Sequence, residues 1–273
     1  MYKQTSTSRT ILVTGATEGI GYPTARRFVD DGATVYLHAP DQDSGEQAMT
    51  RLVKDGAEPL RLFLVVADFT CLNEVACLGD ALAAKLPALD VLINNAAVAA
   101  PERRTCTPDG VELTFQVNYL APYLLTTKLM PRLASAGGKV INVSSMTHRG
   151  ATIKWKKLAG DQYWPLAAYA QSKLALTMYT KSLADVGGAA FTALSVHPGV
   201  FESRLLPVYG RVGQPAEEAA PILTTLGSPA YPVANGGYYE GLNLAKPAAL
   251  VENARARMRL AKLSADLVRS ALH

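Results

Sequence analysis

From residue 10 to residue 196, short apolar runs alternate with segments of helical periodicity, and few architectures accept that rhythm. Thr10–Thr14, Thr34–His38, Arg61–Val66, Asp90–Ile93, Lys139–Ser144 and Phe191–Val196 read as strands. Between them, a helix ending near Asp31 is followed by Ser44–Lys54, Leu72–Leu86, Gly110–Leu133 and Leu166–Val186, all with apolar residues at helical spacing. Repeated strand–helix–strand units predict a parallel sheet covered by helices on both faces. In such sheets ligands sit beyond the carboxyl ends of the strands, where the strand order reverses. Chemistry is therefore expected just after each strand.

Composition narrows the choice further. With 49% hydrophobic and 18% charged residues over 273 positions, the chain can bury a large core and is not disordered. The net charge of +4 carries no basic block, so nothing calls for nucleic acid. The most apolar stretch, Leu82–Ala100, is broken by Lys85, Pro87, Asp90 and two asparagines, so no membrane span is expected. Met1–Arg9 is polar and lacks the apolar region of a signal peptide. Cys71, Cys77 and Cys106 have no CxxC spacing and read as reduced, mostly buried thiols of a cytoplasmic protein. His38, His148, His197 and His273 are scattered and suggest no metal site. With no repeat and no linker, residues 1–273 form a single domain. After Pro198 a Pro- and Gly-punctuated region runs to Pro247, and a helical tail follows at about 248–272. Its Arg255, Arg257, Arg259 and Lys262 beside spaced Leu and Val mark an amphipathic surface helix.

The first strand runs into Thr14-Gly15-Ala16-Thr17-Glu18-Gly19-Ile20-Gly21. Glycines at 15, 19 and 21 suit a tight turn, close approach of backbone to a pyrophosphate, and close helix–strand packing. The helix that follows offers free N–H groups and the positive end of its dipole. Strand, glycine turn and helix at this place are the context that makes a dinucleotide site out of a weak motif. No Gly-Lys-Ser/Thr follows, which excludes a P-loop.

Tyr169-Ala170-Gln171-Ser172-Lys173 sets Tyr and Lys one helical turn apart on one face. A tyrosine ordinarily titrates near pH ~10. A neighbouring cation favours the phenolate, and the hydroxyl can then exchange a proton with a substrate alcohol or carbonyl. Ser144-Ser145 ends the fifth strand, and Asn118 lies in the helix after the fourth.

Together these motifs resemble the short-chain dehydrogenase/reductase family over nearly the whole chain. The resemblance implies a single doubly wound, Rossmann-type α/β domain and an oxidoreductase that moves a hydride between a nicotinamide cofactor and an alcohol or carbonyl group. It makes Asn118, Ser145, Tyr169 and Lys173 the catalytic set. Ser145 then bonds the substrate oxygen and Tyr169 is the acid/base. Lys173 tunes Tyr169 and holds the nicotinamide ribose, and Asn118 positions a relay water. The cofactor residues it implies are Gly15, Thr17, Glu18, Gly19, Ile20 and Gly21 of the turn, Asp68 at the adenine, Asn95 and Ala96. To these it adds Tyr169 and Lys173 again, and Pro198, Gly199 and Ser203. Ala97 stands where relatives usually carry Gly.

Twenty-four positions separate Ser145 from Tyr169, and the extra segment holds Trp155, Tyr163 and Trp164. With Gly236-Gly237-Tyr238-Tyr239 and the helical tail, this resembles the retinol-dehydrogenase-like branch. Choice between NAD and NADP falls at the end of the second strand. Pro40 stands where NADP-using relatives often have Arg; Glu18 adds a negative charge, and Asp41 is placed for the ribose. These favour NAD, while His38 or a distant Arg is the alternative cation for NADP. Substrate loops are expected at Val98–Thr105, about 146–166 and about 200–214. Their aromatic and aliphatic residues suit a small hydrophobic alcohol, aldehyde or ketone, and Arg103 and Arg104 read as solvated. A non-redox enzyme on the same scaffold (cyclase, dehydratase or epimerase) and a dinucleotide-sensing scaffold protein are the alternatives. The resemblance implies a homodimer through helices; the altered C-terminus favours a monomer.

Overall fold

A computed structural model describes residues 8–155, 163–203, 205 and 212–273. Six strands form where the apolar runs predict them: β1 (Thr10–Val13), β2 (Thr34–Ala39), β3 (Leu62–Val66), β4 (Val91–Asn94), β5 (Lys139–Val143) and β6 (Thr192–His197). Two more, β7 (Gly237–Glu240) and β8 (Asn243–Ala245), extend the sheet. The order is β3-β2-β1-β4-β5-β6-β7-β8. All pairs are parallel except the last, where β8 returns antiparallel to β7. The sheet is thus mixed at one edge. These two strands are four and three residues long, the first lying between Gly236 and Gly241, and both are too short for an apolar run to announce them.

The helices are α1 (Gly21–Asp30), α2 (Gln42–Lys54), α3 (Leu72–Lys85), the single turn α4 (Leu113–Phe115), α5 (Ala121–Ala136), α6 (Pro165–Gly187), α7 (Ala220–Gly227), the short α8 (Ala249–Glu252) and α9 (Ala254–Leu272). Side chains alternate across the strands with period two. Leu12, Leu92 and Val140 face the core beneath α3, α5 and α6. Ile11, Val13, Ile93 and Ile141 face the opposite core, which α1, α2 and α7 cover. The sheet is therefore buried on both sides, and the loops that follow its strands gather along its carboxyl edge.

The helical segment after β4 is interrupted. Gln116–Leu120 forms a π-helical turn between α4 and α5. Pro122, the second residue of α5, has no N–H to give the Asn118 carbonyl four residues earlier. A widened turn is the usual answer to such a gap, and such turns gather at functional positions.

α9 docks over α3 and α6. Asn253 caps it by accepting from the Ala256 N–H at 3.0 Å. Its inner face buries Leu260 and Ser264, and the Ser264 hydroxyl lies 2.5 Å from that of Tyr119 in the π turn. The amphipathic surface helix expected at 248–272 is present, preceded by α8. Replacing Leu260 with Ala is expected to cost about 2–5 kcal/mol in urea unfolding. Met258→Ala, on the exposed face, should stay within about 0.5 kcal/mol.

Candidate active site

β1 pairs with β2 on one side and β4 on the other, so the strand order reverses between β1 and β4. Above this point opens a cavity of about 1380 Å³. The loops after β1, β2, β3, β4, β5 and β6 all contribute to its wall.

The turn after β1 forms one end. Gly15 has φ of +61°, and a Cβ there would lie 2.7 Å from the Ala96 Cα. A Cβ on Gly21 would collide with the Gly15 carbonyl oxygen and the Asn95 carboxamide. The close approach is held by Thr14, which opens the motif but whose part in it the glycine spacing does not show. Its hydroxyl accepts from the N–H groups of Asn95 (2.9 Å) and Ala96 (3.0 Å). Asn95 in turn donates its amide to the carbonyls of Thr14 and Gly15. Asn95 therefore shapes the turn, with its side chain engaged there. α1 then starts at Gly21 with no side-chain cap and no acidic residue in its first turn. Uncapped helical N–H groups facing a cavity form a cradle for an anion, and the turn residues Gly15, Thr17, Glu18, Gly19 and Ile20 line it. These residues fit the pyrophosphate of a dinucleotide.

His38 closes the floor beneath the turn. Gly15 N–H donates to its Nδ1 at 3.1 Å, so Nε2 carries the proton and donates to the Ala67 carbonyl at 2.9 Å. Burial pushes its pKa down to about 4, and Phe69 lies against the ring. A neutral, doubly bonded imidazole does not serve as a cation for a 2′-phosphate, which removes one sequence alternative. Pro40 lines the cavity beside it. Asp41 does not: its Oδ1 accepts from the Ser44 N–H at 2.8 Å and caps α2. That bond holds the Asp41 carboxyl below its usual range, and the ribose contact expected of this residue is not what its side chain is arranged for. Asp68 lines the cavity after β3, its carboxylate accepting from the Thr70 N–H and hydroxyl.

At the other end stand the residues of the fifth strand and α6. Tyr169 and Lys173 are both buried on α6, with Lys173 Nζ 5.6 Å from the centre of the Tyr169 ring. Lys173 donates to the Val143 carbonyl at 2.8 Å, and burial lowers its pKa to about 7. Ser144 turns toward α6, its hydroxyl 2.7 Å from that of Thr177. The Ser145 hydroxyl accepts from Thr147 at 3.1 and 3.3 Å and faces the cavity. Asn118 is fully buried and does not line the wall. It clasps Val98, accepting its N–H (2.8 Å) and donating to its carbonyl (3.1 Å), and donates also to the Ser172 hydroxyl. The π turn thus fixes the loop after β4.

After β6, Pro198, Gly199 and Ser203 line the cavity. A Cβ on Gly199 would press on the Phe201 ring at 2.9 Å, and Ser203 sits over Gly19. Met146, Trp164, Leu166, Phe201 and Leu205 give this side an apolar wall. Residues 156–162 and 206–211 of the two long substrate loops lie outside the described residues. Arg103 and Arg104 are not part of the wall. The cysteines depart from expectation: Cys77 and Cys106 are exposed and Cys71 is half-buried. Cys77 falls on the outward face of α3, whose inward face is taken by Leu72, Val75, Ala76, Leu78 and Leu82. Among the described residues, no helix is long and apolar enough to cross a membrane.

Residues 9–209 match the short chain dehydrogenase family. Retinol dehydrogenase 12 of Bos taurus is 35% identical over 202 residues, covering 72% of this chain and 63% of that protein. Retinol dehydrogenase 13 of Homo sapiens is 32% identical, covering 97% and 86%. The aligned region spans a little under two thirds of the bovine relative. A crystal structure of an uncharacterised protein from Mycobacterium paratuberculosis superposes with a TM-score of 0.79 at 28% identity, over 96% of this chain and 93% of that one.

The buried His38 has a consequence for stability. Its folded pKa of about 4 lies below the ordinary 6.5, so protonation favours the unfolded chain. The contribution is complete above pH ~6.5 and is lost progressively as pH falls toward 4, on the order of 2–3 kcal/mol at pH ~4.5. Urea midpoints of the wild type and His38→Gln measured from pH ~7 to ~4.5 should converge in acid, because groups that titrate in both proteins, His148 among them, cancel in the difference. A constant gap between them would contradict the neutral buried ring.

Proposed function

The chain belongs to the short chain dehydrogenase family, and from that premise we propose an NAD(P)-dependent oxidoreductase acting on the alcohol, aldehyde or ketone group of a small hydrophobic molecule. One observation carries the reading: a buried Tyr169–Lys173 pair and the Ser145 hydroxyl share a cavity with an uncapped glycine turn. A bound nicotinamide supplies or accepts the hydride. Every other step falls to this chain's side chains. The Tyr169 phenolate takes the proton of the alcohol as the hydride leaves its carbon, and the resulting hydroxyl returns that proton when the reaction runs toward the alcohol. Ser145 donates a hydrogen bond to the same oxygen and holds it within reach of Tyr169. Lys173 is fixed at one N–H by the Val143 carbonyl, leaving its other protons for the phenolate and for the ribose hydroxyls. Its depressed pKa makes its proton easily shared with the tyrosine beside it. Asn118 holds Val98, and with it the loop over which the nicotinamide and its water relay would lie.

The apolar wall of Met146, Trp164 and Leu166 and the retinol dehydrogenase names of the relatives support a hydrophobic aldehyde or alcohol; all-trans-retinal and decanal are suitable probes. Nothing in the cavity favours the cyclase, dehydratase or epimerase alternative. For the cofactor we propose NAD. Pro40 and Glu18 in the wall and the neutral His38 support it. Arg51, which donates to the Thr17 carbonyl and stacks over Tyr22, is the cation that would serve a 2′-phosphate instead. A cytoplasmic location and a homodimer belong to the same proposal, the first supported by three free thiols.

Tyr169→Phe is expected to lower kcat by about 10²–10⁴ while NADH affinity, followed by fluorescence, is unchanged. Lys173→Ala should weaken both; unchanged NADH binding would contradict its ribose contact. Parallel titrations at fixed ionic strength should show NADH binding more tightly than NADPH. The reverse order, abolished by Arg51→Ala, would assign the cofactor as NADP.

A further inference from the structure

His148 stands three residues beyond Ser145 and is completely buried. Its two ring nitrogens have different partners. The Ala248 N–H, which can only donate, lies 3.1 Å from Nε2; the Ser145 carbonyl, which can only accept, lies 2.7 Å from Nδ1. Those partners fix the tautomer: Nε2 is bare, Nδ1 carries the proton, and both bonds require a neutral ring. We propose that His148 is a positioning residue, a neutral clamp that joins the C-terminal segment at Ala248 to the backbone of Ser145 and so holds the serine hydroxyl in the cavity. The proposal rests on the role of Ser145 in hydride transfer argued above.

The segment that His148 grips is itself firmly anchored. Ala248 leads into α8, whose Val251 carbonyl accepts from Arg257. Further along, Arg259 lies over the Trp155 ring at 4.5 Å, and Ser264 meets Tyr119 beside Asn118. Next to His148, Arg149 donates to the Lys246 carbonyl and pairs with Glu240 at 2.7 Å. The family match ends at residue 209, so this clamp ties the serine to a part of the chain beyond the matched region. The charged and titratable groups facing the ring are Arg149 on its own turn, Glu240 and Tyr238 on β7, and His197 at the end of β6. Burial, first among these influences, lowers the His148 pKa and keeps the ring in its bridging form at neutral pH. A second proton would set Nε2–H against Ala248 N–H and open the clamp.

Hydrogen–deuterium exchange of the whole protein, compared between wild type and His148→Ala, is the test. The substitution is expected to accelerate exchange at least fivefold in both 145–151 and 247–252 while β5 stays protected. Acceleration on one side alone would overturn the clamp. His148→Gln, which keeps an acceptor near Nε2, should restore protection of 247–252. With decanal and NADH as the probe, His148→Ala should lower kcat about tenfold with the KM for NADH unchanged, and His148→Asn, which keeps an N–H near Nδ1, should recover most of it. An unaltered kcat despite faster exchange would show that the clamp does not position Ser145. If wild type binds no NADH and turns over no aldehyde, the oxidoreductase reading fails and the exchange result still decides the clamp. Should His148→Ala not fold, the imidazole 15N spectrum of wild type replaces it. A neutral Nδ1–H tautomer persisting at pH ~6, below the usual midpoint, is expected; an Nε2–H form or ordinary titration overturns the proposal.

Discussion

The rest of the site depends on how closely the backbone after β1 approaches the backbone after β4. Gly15 and Ala96 are separated by less than a side chain would need, and the Thr14 hydroxyl and Asn95 amide hold them there. That contact joins the two halves of the sheet at the reversal of strand order. It also aims the uncapped start of α1 into the cavity. A methyl group at 15 or 21 would need the turn to move, and with it the surface on which a pyrophosphate would rest. His38 extends the same constraint to β3, since it bonds Gly15 on one side and Ala67 on the other.

At the opposite end the governing term is desolvation. Lys173 is buried, its ammonium donating to the Val143 carbonyl and lying 5.6 Å from the centre of the Tyr169 ring, and a cation so placed loses hydration that these contacts do not fully return. A negative phenolate at Tyr169, and polar hydroxyls of a bound ribose, are the groups that would compensate it. The unfavourable burial of Lys173 is thus coherent with a site completed by its ligands. The C-terminal segment then stabilises the frame from outside, through Tyr119 at the π turn and through His148 behind Ser145.

Much of this was legible in the sequence because the signals were local. Short apolar runs marked six strands, and the glycine spacing and the Tyr169–Lys173 interval marked the two ends of the cavity. What was not legible depends on tertiary contact. β7 and β8 are strands only because β6 offers an unpaired edge. Asp41 looks like a ribose ligand in one dimension, yet the start of α2 claims its carboxylate. His38 reads as a candidate cation until burial and two hydrogen bonds make it neutral. The exposed Cys77 follows from which face of α3 meets the core. Thr14 opens the glycine motif, but its role, like that of His148, does not show in one dimension, since their partners lie 81 and 100 positions away along the chain.

The most direct test of the account is isotopic. The protein would be incubated with decanal and NADH deuterated at C4, in each of the two C4 configurations separately, and the alcohol analysed by mass spectrometry. The account predicts one deuterium on the carbinol carbon from one configuration and none from the other, with formation of the labelled alcohol suppressed by Tyr169→Phe. Alcohol formed without deuterium from either, or aldehyde converted while NADH stays reduced, would contradict direct hydride transfer in this cavity.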